Sequence, residues 1–198
     1  MVKKTRHTSL LANPWFSRLG ISVLITVSVV LRFWHIGQNF IFDIDTEYQS
    51  LFGATLLKHF HILWIGVSAG NIGYYLGPGL VYLTAILLWF TKGDPISLAY
   101  FASSVGVVTS VSTYYIANRL YGRKTALIAF CLYGFSAFII SYDRRYWPIG
   151  IPLIALWIFY SLEQAKTNTR WLIFASLLIG ASYHIHLSLL FFWLFCWV

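Results

Sequence analysis

The sequence predicts an all-α protein: a bundle of helices that crosses a membrane several times. Charged residues make up 10% and hydrophobic residues 59% of the chain, whereas about a quarter of the residues in soluble domains are charged. The mean hydropathy of +0.71 agrees with a membrane location. The apolar residues form continuous runs, unlike the short alternating segments of a β-barrel. At roughly 20 residues per span, the length allows about five or six transmembrane helices.

The basic residues have the distribution of topology signals. The formal net charge is +8, but these residues lie in small groups between the apolar runs and not along one face. We therefore expect a membrane, and not nucleic acid, as a partner. Cys131 and Cys196 lie within apolar runs and lack the spacing of metal ligands, which argues against a disulfide or a zinc site.

The first apolar run begins at Leu19 and follows a basic N-terminal segment. No small-residue cleavage site comes after it, so the sequence predicts an uncleaved first helix with its N-terminus in the cytoplasm. This is the pattern of an integral protein of a bacterial or archaeal plasma membrane, or of the endoplasmic reticulum.

Five further apolar runs follow along the chain. They cover residues 78–90, 96–117, 126–142, 151–162 and 171–198. The last run has 28 residues, which is long for one span unless the helix is tilted, and it ends on apolar residues without a cap. We therefore expect residues 1–198 to be a single transmembrane domain that forms the N-terminal part of a longer protein.

The run 78–90 is the shortest candidate span, because 13 residues do not easily cross about 30 Å of hydrocarbon. If it does not cross, nine of the 14 basic residues fall on the inside, with Glu163 as the one acid there. If it crosses, the inside holds seven basic residues, which weakens the asymmetry. We predict a helix that lies at the outer interface, or dips in and back, within a long external loop over residues 35–95.

Half of the six acidic residues lie close together in this loop: Asp43, Asp45 and Glu47. One interpretation is structural, with Asp45 and Thr46 as the N-cap pair of a helix that begins near Glu47. The other is a catalytic or metal-binding group. Carboxylates two residues apart in an extended segment share a face and repel, which raises a pKa or requires a cation. Binding of a divalent cation by these three residues is left open.

Several motifs in order resemble the integral-membrane glycosyltransferases of GT-C fold, in the branch with dolichyl-phosphate-mannose protein mannosyltransferases and aminoarabinose transferases. The matching segments are "DTEYQSLFGATLL", "GYYLGPGLVYL", "NRLYGRKTALIA", "FSAFIISYDRRYWPIGIP" and "SYHIHLSLL". The resemblance covers nearly all of residues 18–190. The family's acidic motif is Asp followed by Glu or Gln, whereas here Thr46 separates Asp45 from Glu47. The alignment through Ala54 and Leu57 favours Asp45.

The resemblance implies an enzyme that transfers a sugar from a polyprenyl-phosphate-linked donor to an acceptor on the external face. It implies that Asp45 is the general base, with Asp43 and Glu47 as the other catalytic candidates. Family members have several hundred residues and further helices, so the resemblance leaves open whether this chain is active alone.

A second part of the expected site lies in "YDRRYW". The resemblance implies that Arg144 and Arg145 bind the donor phosphate, for which the guanidinium fork is suited. Asp143 and His186 are expected to support the site. The structural alternative is an interfacial belt, in which the arginines reach lipid headgroups. His184 and His186 would not share a helix face, so a two-histidine metal site is not expected.

Two other functions compete with the enzyme. A transporter or channel component would carry ionisable residues in the middle of helices, whereas Asp143, His184 and the 43–47 cluster are predicted at helix ends. A non-catalytic fragment or scaffold descended from a glycosyltransferase would keep these motifs without the activity.

Overall fold

The structure of the protein is a computed structural model. It describes residues 14–68, 73–147, 149–186 and 188–189. The N-terminal group Lys3, Lys4 and Arg6, and the end of the last apolar run, lie outside the described residues. Within the described ranges the chain is helical and has no strand; Ser68 and Tyr75 form an isolated antiparallel bridge.

The predicted all-α class is therefore confirmed for the part of the chain that the structure describes. The helices are α1 Pro14–Phe33, α2 Ile36–Asn39, α3 Ile44–Lys58, α4 Gly79–Phe90, α5 Ile96–Tyr121, α6 Arg123–Phe135, α7 Ala137–Asp143, α8 Ile151–Ala165 and α9 Arg170–Ser182.

Two helical hairpins form most of the bundle. A turn at Gly122, whose φ of 83° favours glycine, reverses the chain between α5 and α6. The ring centroids of Tyr114 and Phe130 lie 6.4 Å apart across that hairpin. Helices α8 and α9 pack in the same antiparallel way, with Tyr160 and Trp171 at 5.6 Å.

The hairpins are joined along α5 and α8, which run in the same direction. Just before α8, Gly150 faces Val105 of α5. About two turns later along both helices, the indole nitrogen of Trp157 donates a hydrogen bond to Ser112 Oγ at 3.1 Å. Helix α1 runs the opposite way, because its last turn meets the start of α5 and the end of α7. The aromatic pair Phe33 and Tyr100, at 6.0 Å, marks the first of these contacts.

These directions bring many helix ends to one end of the bundle, which we call the α4 end. Helices α1, α7 and α9 finish there, and α5 and α8 begin there. Helix α4 lies at this end throughout its length: Gly79 contacts His184 after α9, and Thr84 Oγ1 is 2.8 Å from Tyr146 Oη after α7. That residues 78–90 remain on one side of a membrane stays a prediction.

Helix α3 packs closely on α4 because Gly53 lies at their crossing. A Cβ at this residue would stand 2.9 Å from Thr84 Cγ2 and 3.1 Å from the backbone nitrogen of Ala85. Leu56 and Val81 are buried beside this contact. The α3–α4 pair therefore forms a rigid support for the acidic segment at the beginning of α3.

One helix of the described residues, α5, is long and apolar enough by itself to cross a membrane. Helices α6 and α7 meet the same criterion only together, and they bend by 65° at Ser136. Helices α4, α8 and α9, and Leu19–Phe33 of α1, are shorter apolar helices. By length and composition, then, the structure supports membrane association, and the number of spans stays a prediction.

Two predicted boundaries were wrong. The run 126–142 is broken at Ser136 and is not one straight helix. The helix expected to begin near Glu47 begins at Ile44, because Asp43 caps it. In the final run, α9 ends at Ser182, so His184 and His186 follow the end of a helix.

Candidate functional site

The three clustered acids have different surroundings. Asp43 has extended backbone angles and its Oδ1 accepts from the Thr46 backbone nitrogen at 2.9 Å and from Thr46 Oγ1 at 2.7 Å. This is an N-cap, which satisfies one of the unpaired N–H groups at a helix start. The predicted cap pair, Asp45 with Thr46, was therefore wrong by two residues.

Asp45 is not the capping residue; it lies in the first turn of α3 and is exposed. Gln49 follows one turn later on the same face, because residues i and i+4 of a helix are neighbours. Both line a cavity of about 400 Å³, a volume within the usual range for small-molecule sites. Glu47 is exposed on α3, and the lining of this cavity does not include it.

The remaining walls of the cavity come from three other segments of the chain. Tyr48 and Phe52 extend the α3 wall, while Tyr75 and Trp147 approach from the loop before α4 and the segment after α7. Residues 66–68 complete the lining, and the Gly66 nitrogen donates a hydrogen bond to Leu76 O at 2.8 Å, which holds this segment in place. Tyr48, Phe52 and Tyr75 remain largely exposed, so these rings form an accessible aromatic surface and not a packed core.

Gln49 is an exception to the rule that buried polar groups are paired. The residue is 1% exposed, and neither Oε1 nor Nε2 has a hydrogen-bond partner among the described residues. An unpaired buried polar group is unfavourable by about 1–3 kcal/mol. The cavity beside this amide is thus the place where its missing partners would be found.

His186 lies close to this cavity. Its ring centroid is 5.8 Å from that of Trp147. Nδ1 accepts a hydrogen bond from the Ser188 backbone nitrogen at 3.1 Å, which places the proton of the neutral ring on Nε2. Burial lowers the pKa of His186, and the negative charge of Asp45 partly opposes that shift. Asp45 and Trp147 both line the cavity, and the ring of His186 lies against Trp147, so these residues belong to one region of the fold; the catalytic role of this region stays a prediction.

His184 serves a different contact. Its Nδ1 accepts from the Gly79 backbone nitrogen at 3.1 Å, and its ring lies against Gly77 so closely that a Cβ there would overlap it. The imidazole thus ties the end of α9 to the start of α4. Among the described residues, no group of three or more His, Cys, Asp or Glu side chains could hold a metal ion.

Asp143 is buried at the end of α7 and pairs with Arg32, which is 0% exposed. Arg32 Nη2 is 2.7 Å and Nε 2.9 Å from Asp143 Oδ2. Tyr133 Oη donates to Asp143 Oδ1 at 3.2 Å, and Arg32 Nη1 donates to Ser28 Oγ at 2.7 Å and to Gly134 O at 3.0 Å. This network joins α1 to the broken helix α6–α7, and its groups do not line the Asp45 cavity.

Arg144 and Arg145 also lie away from the lining of that cavity. The Arg144 guanidinium donates to the carbonyl oxygens of Leu31 at 2.6 Å, Trp34 at 3.1 Å and Arg32 at 3.2 Å. A cation at this position satisfies the unpaired carbonyls at the end of α1. Arg145 is exposed. The predicted phosphate-binding role of both arginines stays a prediction.

Sequence reasoning missed three residues that the structure makes prominent: Arg32, Gln49 and Trp147. Two of them had a usable signal. Gln49 stands four residues after Asp45, which predicts a shared helix face. Arg32 is a lone charge near the end of an apolar run, where an ionisable residue requires a partner. Nothing in the sequence indicated that Trp147 would reach the acidic segment.

Comparisons with known proteins do not identify the chain. No protein-family model matches it, and no solved structure matches it. It is similar to an uncharacterized protein of Aquifex aeolicus (strain VF5), with 27% identity over 157 residues. That similarity covers 76% of this chain and 31% of the relative.

Proposed function

We propose that the chain is part of an integral-membrane glycosyltransferase, in which Asp45 is the general base. The supporting observation is the division of roles within the acidic cluster. Asp43 is bound in the N-cap, whereas Asp45 is exposed at a cavity of about 400 Å³ with His186 nearby. A base must be accessible and within hydrogen-bond reach of its substrate, and Asp45 meets the first of these conditions.

The proposed reaction joins an acceptor hydroxyl or amine to the anomeric carbon of a lipid-linked sugar. The acceptor oxygen or nitrogen forms the new bond to that carbon as its proton passes to the Asp45 carboxylate. The bond between the carbon and the phosphate oxygen breaks, and the polyprenyl phosphate leaves with the electron pair. In this proposal His186, whose Nε2 carries the proton in the neutral ring, is the hydrogen-bond donor that supports Asp45 during the reaction.

The directions of the helices support a particular arrangement in the membrane. In the proposal, α1, α5, the α6–α7 pair, α8 and α9 cross the membrane, and α4 lies at the outer interface. The α4 end of the bundle then faces outwards, opposite the basic turns of α5–α6 and α8–α9, as the positive-inside rule favours. This places the Asp45 cavity at the outer surface.

A lipid-linked donor is supported by the segment that leads into the cavity wall. Phe60, Ile62 and Trp64 are 78%, 65% and 83% exposed, directly before the residues 66–68 that line the cavity. Exposed aromatic and aliphatic side chains of this kind suit the headgroup region of a bilayer. Arg145 is the better candidate for the donor phosphate, since Arg144 would first have to release the α1 carbonyls.

The test is sugar transfer by the full-length protein in liposomes, with a radiolabelled polyprenyl-phosphate sugar as donor. Asp45→Asn should lower transfer by about 10²- to 10⁴-fold, because it removes the basicity and keeps the shape. Asp43→Asn is the matched control: asparagine caps a helix about as well as aspartate, so transfer should persist. Full activity of Asp45→Asn would contradict the role of Asp45 as the base, and absence of transfer by the wild type would leave the scaffold interpretation.

A further inference from the structure

The cavity beside Asp45 contains one group that the proposed reaction does not use, the side-chain amide of Gln49. Its position one turn after Asp45 fixes it in the same wall. The residue is 1% exposed, and both amide atoms lack partners within the described ranges. The last side-chain torsion of glutamine is broad, so the amide can rotate to bond a ligand in the cavity that this residue lines.

The chemistry of the amide restricts what can satisfy it. Oε1 accepts hydrogen bonds and Nε2 donates them, so the complementary ligand must both donate and accept within a short distance. A phosphate only accepts, and the Asp45 carboxylate in the same wall would repel it. An ammonium group only donates. Neighbouring hydroxyl groups do both, and they carry no charge.

The other walls agree with such a ligand. Trp147 and Tyr75 line the same cavity as Gln49, and the residues that line it include neither lysine nor arginine. A sugar ring has apolar C–H faces that pack on aromatic rings and a rim of hydroxyls that bond polar groups. The volume of about 400 Å³ is enough for one such ring and part of its substituent.

We propose that this cavity is a sugar-binding subsite, in which Gln49 Nε2 and Oε1 hydrogen-bond a pair of neighbouring ring hydroxyls while the ring packs against Trp147. The donor phosphate then lies outside the cavity. This inference rests on the proposed function and adds to it the class of group that Gln49 selects. The ring can belong to the lipid-linked donor or to a sugar acceptor, because the hydroxyl chemistry is the same.

The experiment compares Gln49→Met with wild type in the detergent-purified full-length protein. Methionine keeps the length and bulk of glutamine and removes both hydrogen-bonding groups. Gln164→Met, the same change on α8 at the opposite end of the bundle, is the matched control. Donor probes are citronellyl phosphate with and without an attached hexose or pentose, and acceptor probes are the methyl pyranosides. Binding is measured by calorimetry.

In the wild type, we expect either the sugar-bearing lipid to bind more tightly than citronellyl phosphate alone, or a methyl pyranoside to bind. The first result identifies the donor sugar and the second an acceptor sugar. Gln49→Met should weaken that sugar-dependent binding by about 10- to 100-fold. It should leave the binding of citronellyl phosphate unchanged, and Gln164→Met should match the wild type throughout.

A thermal melt without ligand separates binding from a structural role. Because methionine removes an unpaired buried amide, the melting temperature of Gln49→Met should equal or exceed that of the wild type. Equal sugar binding by Gln49→Met and wild type, or no sugar binding by the wild type, would overturn the subsite. Loss of transfer in Asp45→Asn alongside unchanged binding in Gln49→Met would reject this inference alone.

Discussion

Arg32 and Asp143 form a buried ion pair although they are 111 residues apart in the sequence. Both Nη2 and Nε of the guanidinium contact the same carboxylate oxygen, Oδ2, at 2.7 Å and 2.9 Å. The pair joins the end of α1 to the end of α7. The backbone after Asp143 then leads directly to Trp147 in the Asp45 cavity. The ion pair therefore holds one wall of the candidate site in place.

Removing one partner of this pair should be strongly destabilising. Asp143→Asn leaves the buried Arg32 charge without a counter-charge, and such changes are unfavourable by about 3–5 kcal/mol. We expect a clear fall in the melting temperature of the purified protein. The double variant Arg32→Met with Asp143→Asn should recover much of the loss, because it leaves no charge buried. A double variant as unstable as the sum of the single variants would show that the two groups are not coupled.

Gly106→Ala should disturb the same pair from the side of α5. A Cβ at Gly106 would stand 2.6 Å from the carboxylate carbon of Asp143, so the carboxylate must move away from Arg32. We expect a loss of about 1–3 kcal/mol in the free energy of unfolding, as for other overpacked sites. Gly180→Ala is the control, since no atom lies within 4 Å of its added Cβ. That helical substitution should be neutral or stabilising, and equal behaviour of the two variants would contradict the close packing.

The N-cap of α3 can be tested apart from catalysis. Asp43→Ala removes the acceptor of the Thr46 N–H and Oγ1–H hydrogen bonds and should lower stability by about 1 kcal/mol. Asp43→Asn should lower it much less, because the amide oxygen can accept the same bonds. Chemical denaturation measures both values. If Asp43→Ala were as stable as the wild type, the cap would not hold the start of α3.

The position of α4 gives a topology prediction. In a Cys131→Ser, Cys196→Ser background, Lys92→Cys and Glu47→Cys should react with a membrane-impermeant thiol reagent from the same side. Asn168→Cys, in the α8–α9 turn, should react from the opposite side. The assay is labelling in intact cells and in inverted vesicles. Reaction of Lys92→Cys and Glu47→Cys from opposite sides would mean that α4 crosses the membrane.

His186 predicts how stability changes with pH. Burial lowers its pKa in the folded protein, whereas an unfolded chain has a histidine pKa of about 6.5. The unfolded state therefore takes up the proton first, and stability falls as the pH drops below that value until the folded histidine is also protonated. Melting temperatures from pH 8 to 5 should show this fall in the wild type, and His186→Gln should reduce it. His61→Gln, at an exposed histidine, is expected to retain the full pH dependence.

Much of the fold could be predicted because the apolar runs are separated by strong turn signals. The predicted run 78–90 corresponds to α4, and the predicted run 96–117 corresponds to α5, which continues to Tyr121. Both helices begin where predicted to within one residue, because "GPG" and "KGDP" come at their starts. The bend at Ser136 could not be predicted, because no proline causes it. At the bend, the Arg32 guanidinium donates a hydrogen bond to Gly134 O, a carbonyl near the break in the helix. This contact depends on tertiary structure.

The sequence indicated the surroundings of the candidate site only in part. It places Asp45 in an acidic cluster and His186 near a helix end; in the structure Asp45 lines the cavity with Trp147, against which His186 lies, and the role of these residues stays a prediction. The sequence could not tell which acid caps α3, because each of several residues near position 45 is a good capping residue. The contact of Trp147 with the Asp45 cavity depends on how α7 and the following turn pack, which short-range sequence patterns do not encode.

The long sequence separation of Arg32 and Asp143 has a consequence for biogenesis. Ribosomes make α1 more than a hundred residues before the carboxylate and carbonyl groups that bind its guanidinium. These partners of Arg32 exist only after α6 and α7 have been synthesised. The end of α1 therefore reaches its final packing late in translation, and a chain that stops before residue 134 leaves the guanidinium without the carboxylate and carbonyl partners it has in the complete fold.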